Sequence, residues 1–222
     1  MAGTPSTPEP PLLSDPGLLV MDVDSTLIDE EVIDELGDAV GMGAKIADMT
    51  RLAMEGGMDF RQALRARVSL LRGLPTVMLD DVYHRLHFTT GALDLIATLH
   101  SHGWKVGVVS GGFHEIVDRL AHDAGVDHWL ANGLEVRDGM LTGEIRGDIV
   151  TRDTKLSALR TWARQDGIPM SQTVAVGDGA NDIPMIQAAC LGIAFCAKEA
   201  VQEAAPQRIT TRDLRLVLDY LR

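Results

Sequence analysis

From about residue 91 onward, short apolar runs alternate with segments of helical periodicity, and that alternation leaves few folds open. A helical pattern at about 91–102 precedes the run Lys105-Val106-Gly107-Val108-Val109, and a second continues to about 124. Asp138-Gly139 then marks a hairpin. A helix near 153–166 leads to Thr173-Val174-Ala175-Val176, followed by a helix after Asn181, a strand near 191–195 and a closing segment. Strands that alternate with helices imply a parallel sheet with right-handed crossovers, an α/β fold.

One more apolar run, Leu18-Leu19-Val20-Met21, lies far upstream, and about residues 29–87 between it and the alternating region are helical in pattern with little strand character. That segment reads as an insertion, which leaves 17–28 and 88–222 as the α/β core and puts hinges near 26–30 and 86–91. Residues 1–16 hold five of the nine prolines without apolar periodicity and read as a flexible tail.

At 222 residues and 45% hydrophobic content the chain is long enough for one substantial core. No apolar stretch approaches the roughly 20 residues that span a bilayer, and the N-terminus lacks the pattern of a secretory signal, so a cytoplasmic protein is expected. Cys190 and Cys196, the only cysteines, have no His or Cys at zinc-site spacing and read as reduced core residues. A net charge of −12 argues against nucleic acid or an anionic membrane as partner and favours a small ligand. No Lys or Arg precedes Lys45, whereas ten acidic residues from Glu9 to Asp38 do. An anionic substrate bound there needs imported positive charge, from a divalent metal and a few placed Lys or Arg side chains.

Four polar clusters carry the chemistry. Asp22-Val23-Asp24-Ser25-Thr26 follows the first strand, and strand alternation would put Asp22 and Asp24 on one face, one able to attack and the other to move protons. The same residues would serve as a turn and helix cap. Ser110-Gly111-Gly112 follows Val108-Val109 and opens a helix, either as a small anion cradle or as a plain connector. Lys155 falls in the first turn of a helix that Asp153 or Thr154 would cap, where a cation opposes the helix dipole. It is either compensated by an anion or simply exposed. Gly177-Asp178-Gly179-Ala180-Asn181-Asp182 offers hard oxygens suited to Mg²⁺, and a turn with a cap explains only part of the hexapeptide.

Within the insertion, Phe60, Leu64, Val68 and Leu71 form one apolar stripe on a helix from about Asp59 to Arg72, and Arg67 falls inside it. That guanidinium either snorkels or pairs with an acid, or binds substrate. On a helix beginning near Asp29, periodicity assigns Glu31 to a solvated face, and it assigns Met54 and Phe60 to packing.

The four clusters in this order resemble the signature of the haloacid dehalogenase superfamily of phosphotransferases. Asp22 through Glu35, Ala53-Met54-Glu55-Gly56, Phe60 and Leu64 through Leu71 resemble its phosphoserine phosphatase branch, and the resemblance runs from about residue 17 to 205. It implies a Rossmann-like parallel sheet core with an inserted helical cap, and Mg²⁺-dependent hydrolysis of O-phosphoserine as the last step of serine biosynthesis. By that resemblance Asp22 is the nucleophile and Asp24 the acid/base. Asp22, the Asp24 carbonyl and Asp178 hold Mg²⁺, with Asp182 in support. Ser110, Gly111, Lys155 and Asn181 hold the phosphoryl group, Glu31 receives the substrate ammonium, Arg67 its carboxylate, and Met54 and Phe60 wall the pocket. Val23 departs from the branch, which often has Phe there. The motifs leave open transfer to an alcohol such as homoserine, or a catalytically silent phospholigand module, and they leave the oligomeric state open.

Overall fold

In the computed structural model, which describes residues 9–54 and 59–222 and the side chains of all these except 51–54, Leu18–Met21 forms β1 with every residue buried. β1 pairs in parallel with β2 (Lys105–Phe113) on one side and with β5 (Thr173–Gly177) on the other. Together with β3 (His128–Arg137), β4 (Met140–Arg146), β6 (Leu191–Phe195) and β7 (Gln207–Ile209) they make a seven-stranded sheet in the order β4-β3-β2-β1-β5-β6-β7. Only β4 runs antiparallel, paired to β3 through the Asp138-Gly139 turn, whose residues both have positive φ.

Successive strand side chains alternate between faces, and the core divides accordingly. Leu19 and Met21 join Val106, Val108, Val174 and Val176 on one face. That face is covered by α5 (Ala92–Ser101) and α6 (His114–Ala124) through Leu95, Leu99, Ile116 and Leu120. Leu18 and Val20 join Val109, Ala175 and Ala194 on the other, covered by α7 (Arg152–Gln165) and α8 (Ile183–Ala188) through Leu159, Trp162, Met185 and Ile186. Each large apolar side chain so buried contributes about 1.5–3 kcal/mol. A last helix, α9 (Glu199–Ala204), adds Val201 to the second face.

Register is what locates chemistry. Met21 lies opposite both Val108 and Val176, so β1, β2 and β5 deliver their next residues to one edge of the sheet, around its central strand.

Between β1 and α5 the described residues form α1 (Val32–Ala39), α2 (Gly43–Met54), α3 (Phe60–Ser69) and α4 (Met78–Tyr83), and none of the seven strands. The chain leaves and re-enters side by side. Asp29 N–H donates to the His87 carbonyl and Thr89 N–H to that of Leu27. Arg212 grips this junction, donating to the Asp29 carboxylate and the Ile28 carbonyl. The insertion is also hitched to the outer edge of β4, where Leu141 N–H donates to Leu74 and Gly73 N–H to Leu141.

The flexible-tail reading of 1–16 gives way in its second half, while residues 1–8 lie outside the described residues. Leu13 N–H donates to the Arg222 carbonyl, Arg222 N–H to that of Pro11, and Trp104 Nε1 to that of Leu13. Proline supplies no donor at 11 or 16, but Leu12 N–H donates to Gln172 Oε1 and Leu13 N–H to the C-terminal residue.

Candidate active site

β1 ends at Met21, three residues short of Asp24, so strand alternation does not place Asp22 and Asp24 on one face. Asp22 instead caps an irregular helical turn, Val23–Leu27, its Oδ1 accepting from Val23 N–H at 2.7 Å. Ser25 takes a positive φ of 55° in that turn. The reversal carries Asp24 back over the edge of β2, where Oδ2 accepts from Ser110 Oγ at 2.9 Å and Oδ1 from Val32 N–H at 2.8 Å. The cap and the site are thus the same five residues, brought together by a turn and not by strand alternation.

Ser110-Gly111-Gly112 does not open a helix. β2 runs on through Phe113 with a shift of register between Val109 and Phe113, and α6 starts at His114. Ser110 Oγ, while donating to Asp24, accepts from Gly112 N–H at 2.7 Å. A Cβ at Gly112 would stand 2.9 Å from both Asp24 Oδ2 and Ser110 Oγ, so this close approach requires glycine.

Asn132, buried on β3 and not singled out by any pattern, holds this loop from behind. Its Nδ2 donates to the carbonyls of Gly111 at 2.7 Å and Gly112 at 3.2 Å, while its Oδ1 accepts from Val150 N–H at 2.7 Å. One amide therefore ties the end of β2 to the approach of α7. A lone Asn between Ala131 and Gly133 in a strand was the available signal, since Asn is depleted in strands.

Thr151, not Asp153 or Thr154, caps α7, in a reciprocal pair with Thr154. That start aims Lys155 inward. It is 1% exposed, with Nζ 2.7 Å from Asp22 Oδ2 and 2.7 Å from Asp182 Oδ1. Burial works against its charge, but Asp182 and Asp22 outweigh burial and hold the ammonium above its usual range. The carboxyls move the same way: burial, then the charge of Asp182, pushes Asp22 well up, and the same two causes push Asp178 up to about 6. Burial also raises Asp24.

Carboxylate oxygens of Asp22, Asp178 and Asp182 all lie within 4.8 Å of one another. Thr26 Oγ1 donates to Asp178 at 3.4 Å, and Gly179 N–H to Asp182 at 3.0 Å. Three such oxygens around one ammonium leave negative charge uncompensated, and an all-oxygen donor set suits a hard divalent cation. The residues present fit a metal ion.

Above this floor opens a cavity of about 720 Å³. Asp22, Asp24, Gly111, Asp178 and Asn181 face it from the sheet edge, and Glu31, Phe60 and Arg67 from the insertion. Beneath lie Ser110, touching Asp24, and Lys155, touching Asp22 and backed by Asp182. Met54 ends α2, and its side chain lies outside the described residues. Glu31 is exposed, as periodicity has it, but it stands at the N-cap of α1, which begins at Val32, and lines the cavity. Its Oε1 accepts from Ser25 Oγ at 2.7 Å, and burial followed by the Asp24 charge raises its carboxyl to about 7. Arg67 donates from Nη1 to Thr50 Oγ1 at 3.2 Å, and its Nε is buried without a hydrogen-bond partner. Phe60, expected in the packed stripe, is 39% exposed at the cavity, whereas Leu64, Val68 and Leu71 are buried.

A parallel sheet whose central strand ends in paired aspartates, with a Ser-Gly-Gly loop, an inward Lys and an Asp-rich loop converging on them, defines a phosphotransferase class. The chain belongs to the haloacid dehalogenase-like hydrolases, whose family profile matches residues 19–187. Its sequence is 57% identical over 205 residues to a phosphoserine phosphatase of Streptococcus thermophilus, covering 92% of this chain and 95% of the relative. It is 56% identical to one of Lactococcus lactis over the same shares. Among solved structures it is similar to a phospho-aspartyl intermediate analogue of a phosphoserine phosphatase, with a TM-score of 0.88 and 42% identity. That match covers 94% of this chain and 100% of the other, and a substrate-bound phosphoserine phosphatase complex matches with the same TM-score and identity.

Proposed function

We infer that this chain hydrolyses O-phospho-L-serine to L-serine and phosphate, the last step of serine biosynthesis, through a phosphoryl group carried on Asp22. The observation that carries the reading is the pairing of a floor of Asp22 and Asp24 with a wall holding one carboxylate, Glu31, and one guanidinium, Arg67. An ammonium and a carboxylate on the substrate complement that wall, and a phosphoryl group complements the floor. The high identity to phosphoserine phosphatases supports the same substrate.

In the first step an Asp22 carboxylate oxygen attacks phosphorus and the bond from phosphorus to the serine oxygen breaks. Asp24 gives its proton to that oxygen, releasing serine. In the second step Asp24, now ionised, takes a proton from a water that attacks the same phosphorus, and the bond to Asp22 breaks. Ser110 Oγ, Gly111 N–H, Asn181 and the Lys155 ammonium hold the phosphoryl oxygens, while Met54 and Phe60 wall the pocket. Asp22, the Asp24 carbonyl and Asp178, supported by Asp182, would hold Mg²⁺, which when bound supplies positive charge against the phosphoryl oxygens. Residues 29–87 act as a cap over the core of 17–28 and 88–222, keeping bulk water out between the two steps.

A small anionic metabolite is the partner, not nucleic acid or membrane, in keeping with a net charge of −12. A cytoplasmic setting suits the free thiols Cys190 and Cys196. A panel of phosphomonoesters assayed with EDTA and with added Mg²⁺ tests the reading. Phosphate release is expected to be fastest from O-phospho-L-serine, lost in EDTA and restored by Mg²⁺. EDTA-insensitive release, or transfer to an added alcohol in place of release, would overturn it.

A further inference from the structure

Arg67 faces the cavity from α3, but its guanidinium is held from α2. Nη1 donates to Thr50 Oγ1 at 3.2 Å, and the Thr50 hydroxyl in turn donates to the Ile46 carbonyl at 3.1 Å, one helical turn earlier. A hydroxyl has a single proton, and giving it to Ile46 leaves only lone pairs to face Arg67. The direction of this two-bond chain is therefore fixed: Arg67 to Thr50 to Ile46. Its far end is rigid, since Ile46 is fully buried against the rest of the insertion.

Thr50 lines the same cavity as Arg67 and Glu31. A guanidinium is planar with donors in a fixed fork, so holding one arm sets the plane of the others. With Nη1 engaged by Thr50 and Nε left without a partner, the fork keeps donor capacity that an anionic group can use. Lysine or a freely turning arginine would offer charge without that orientation.

We propose that Thr50 is a positioning residue that orients Arg67 and thereby sets the preference of this site for phosphomonoesters bearing a carboxylate. The proposal rests on the phosphoserine reading of the cavity. It assigns Thr50 no contact with the phosphoryl group and no part in either chemical step.

The test compares kcat/KM for O-phospho-L-serine with kcat/KM for O-phosphoethanolamine, which keeps the phosphate and the ammonium but lacks the carboxylate. Thr50→Val keeps the shape and removes the acceptor. The ratio of the two specificity constants is expected to fall about tenfold, the scale of one hydrogen bond to a charged group. The fall should come from a higher KM for O-phospho-L-serine and not from a lower kcat. Thr50→Ser, which restores the hydroxyl, is expected to keep the wild-type ratio within about twofold, and Thr50→Ala to lose it as Thr50→Val does. A wild-type ratio in both Thr50→Val and Thr50→Ala, a parallel loss on both substrates, or a Thr50→Ser variant as impaired as Thr50→Val would overturn the proposal. A wild-type enzyme that does not prefer O-phospho-L-serine at all would instead remove the functional reading beneath it, and the proposal with it.

Discussion

The Lys155 ammonium and the Asp182 carboxylate meet 2.7 Å apart with 1% and 0% of their side chains exposed. Asp22 stands at the same distance on the other side of that ammonium. Taking these charges out of water costs several kcal/mol for each ion, so the arrangement holds only while each charge faces its partner.

Lys155→Met, studied in EDTA, should be less stable than the wild type by about 3–5 kcal/mol near neutral pH, the usual cost of removing one partner from a buried pair. The gap should narrow as pH falls. Without Lys155, Asp22 loses a neighbouring charge that lowers its pKa and sits further above its unfolded value. A raised native pKa means stability that is present at low pH and lost as pH rises through the native value. Urea unfolding of both proteins across pH 5–8 checks this, and a gap independent of pH would mean that Lys155 contributes only packing.

The layers of this fold are written in its apolar runs, because a buried strand in an α/β sheet is apolar on both faces and Leu18–Met21 is. The site was legible as clusters but not as geometry. Strand alternation joined Asp22 to Asp24, yet a turn does so, since β1 stops at Met21. Periodicity put Glu31 in solvent, where it is, but counting the helix from Asp29, three residues before α1 begins, hid its place at the N-cap beside the cavity. Lys155 looks like a surface residue until Asp182, 27 positions away, is folded against it. Asn132 and Thr50 carry no local pattern, and their roles exist only in contacts to Gly111, Val150 and Arg67.

Asn132→Ala should leave the Gly111 and Gly112 carbonyls and the Val150 N–H without their partner. Each buried group so stranded costs about 1–3 kcal/mol. Loosening the loop that carries Ser110 should also lower kcat/KM on the order of 10²-fold, the effect of a displacement near 1 Å at a reacting centre. Thermal unfolding and phosphate release together check it. A less stable variant with wild-type kcat/KM would make Asn132 a core residue only.

Asp127 offers a stability change far from the site. Burial alone would raise its carboxyl, but the Lys105 ammonium, the Val106 N–H and His100 outweigh burial and hold it below the usual carboxylate range. A depressed native pKa means stability that is present above the unfolded value and lost as pH falls through the native one. Asp127→Asn should therefore be destabilised at pH 7 and approach the wild type below about pH 4, near the unfolded value of Asp. Urea midpoints measured from pH 7 down to pH 3 check the sign, and a gap that widens with acid would reverse it.

The central claim is that Asp22 bonds to phosphorus. Acid-quenched single turnover of ³²P-labelled O-phospho-L-serine with Mg²⁺, followed by peptide mapping, tests it directly. The label is predicted on the peptide containing Asp22, and Asp22→Asn is predicted to carry none and to release almost no phosphate. Label on another residue, or near-normal phosphate release by Asp22→Asn with no phosphoenzyme in either protein, would contradict the account.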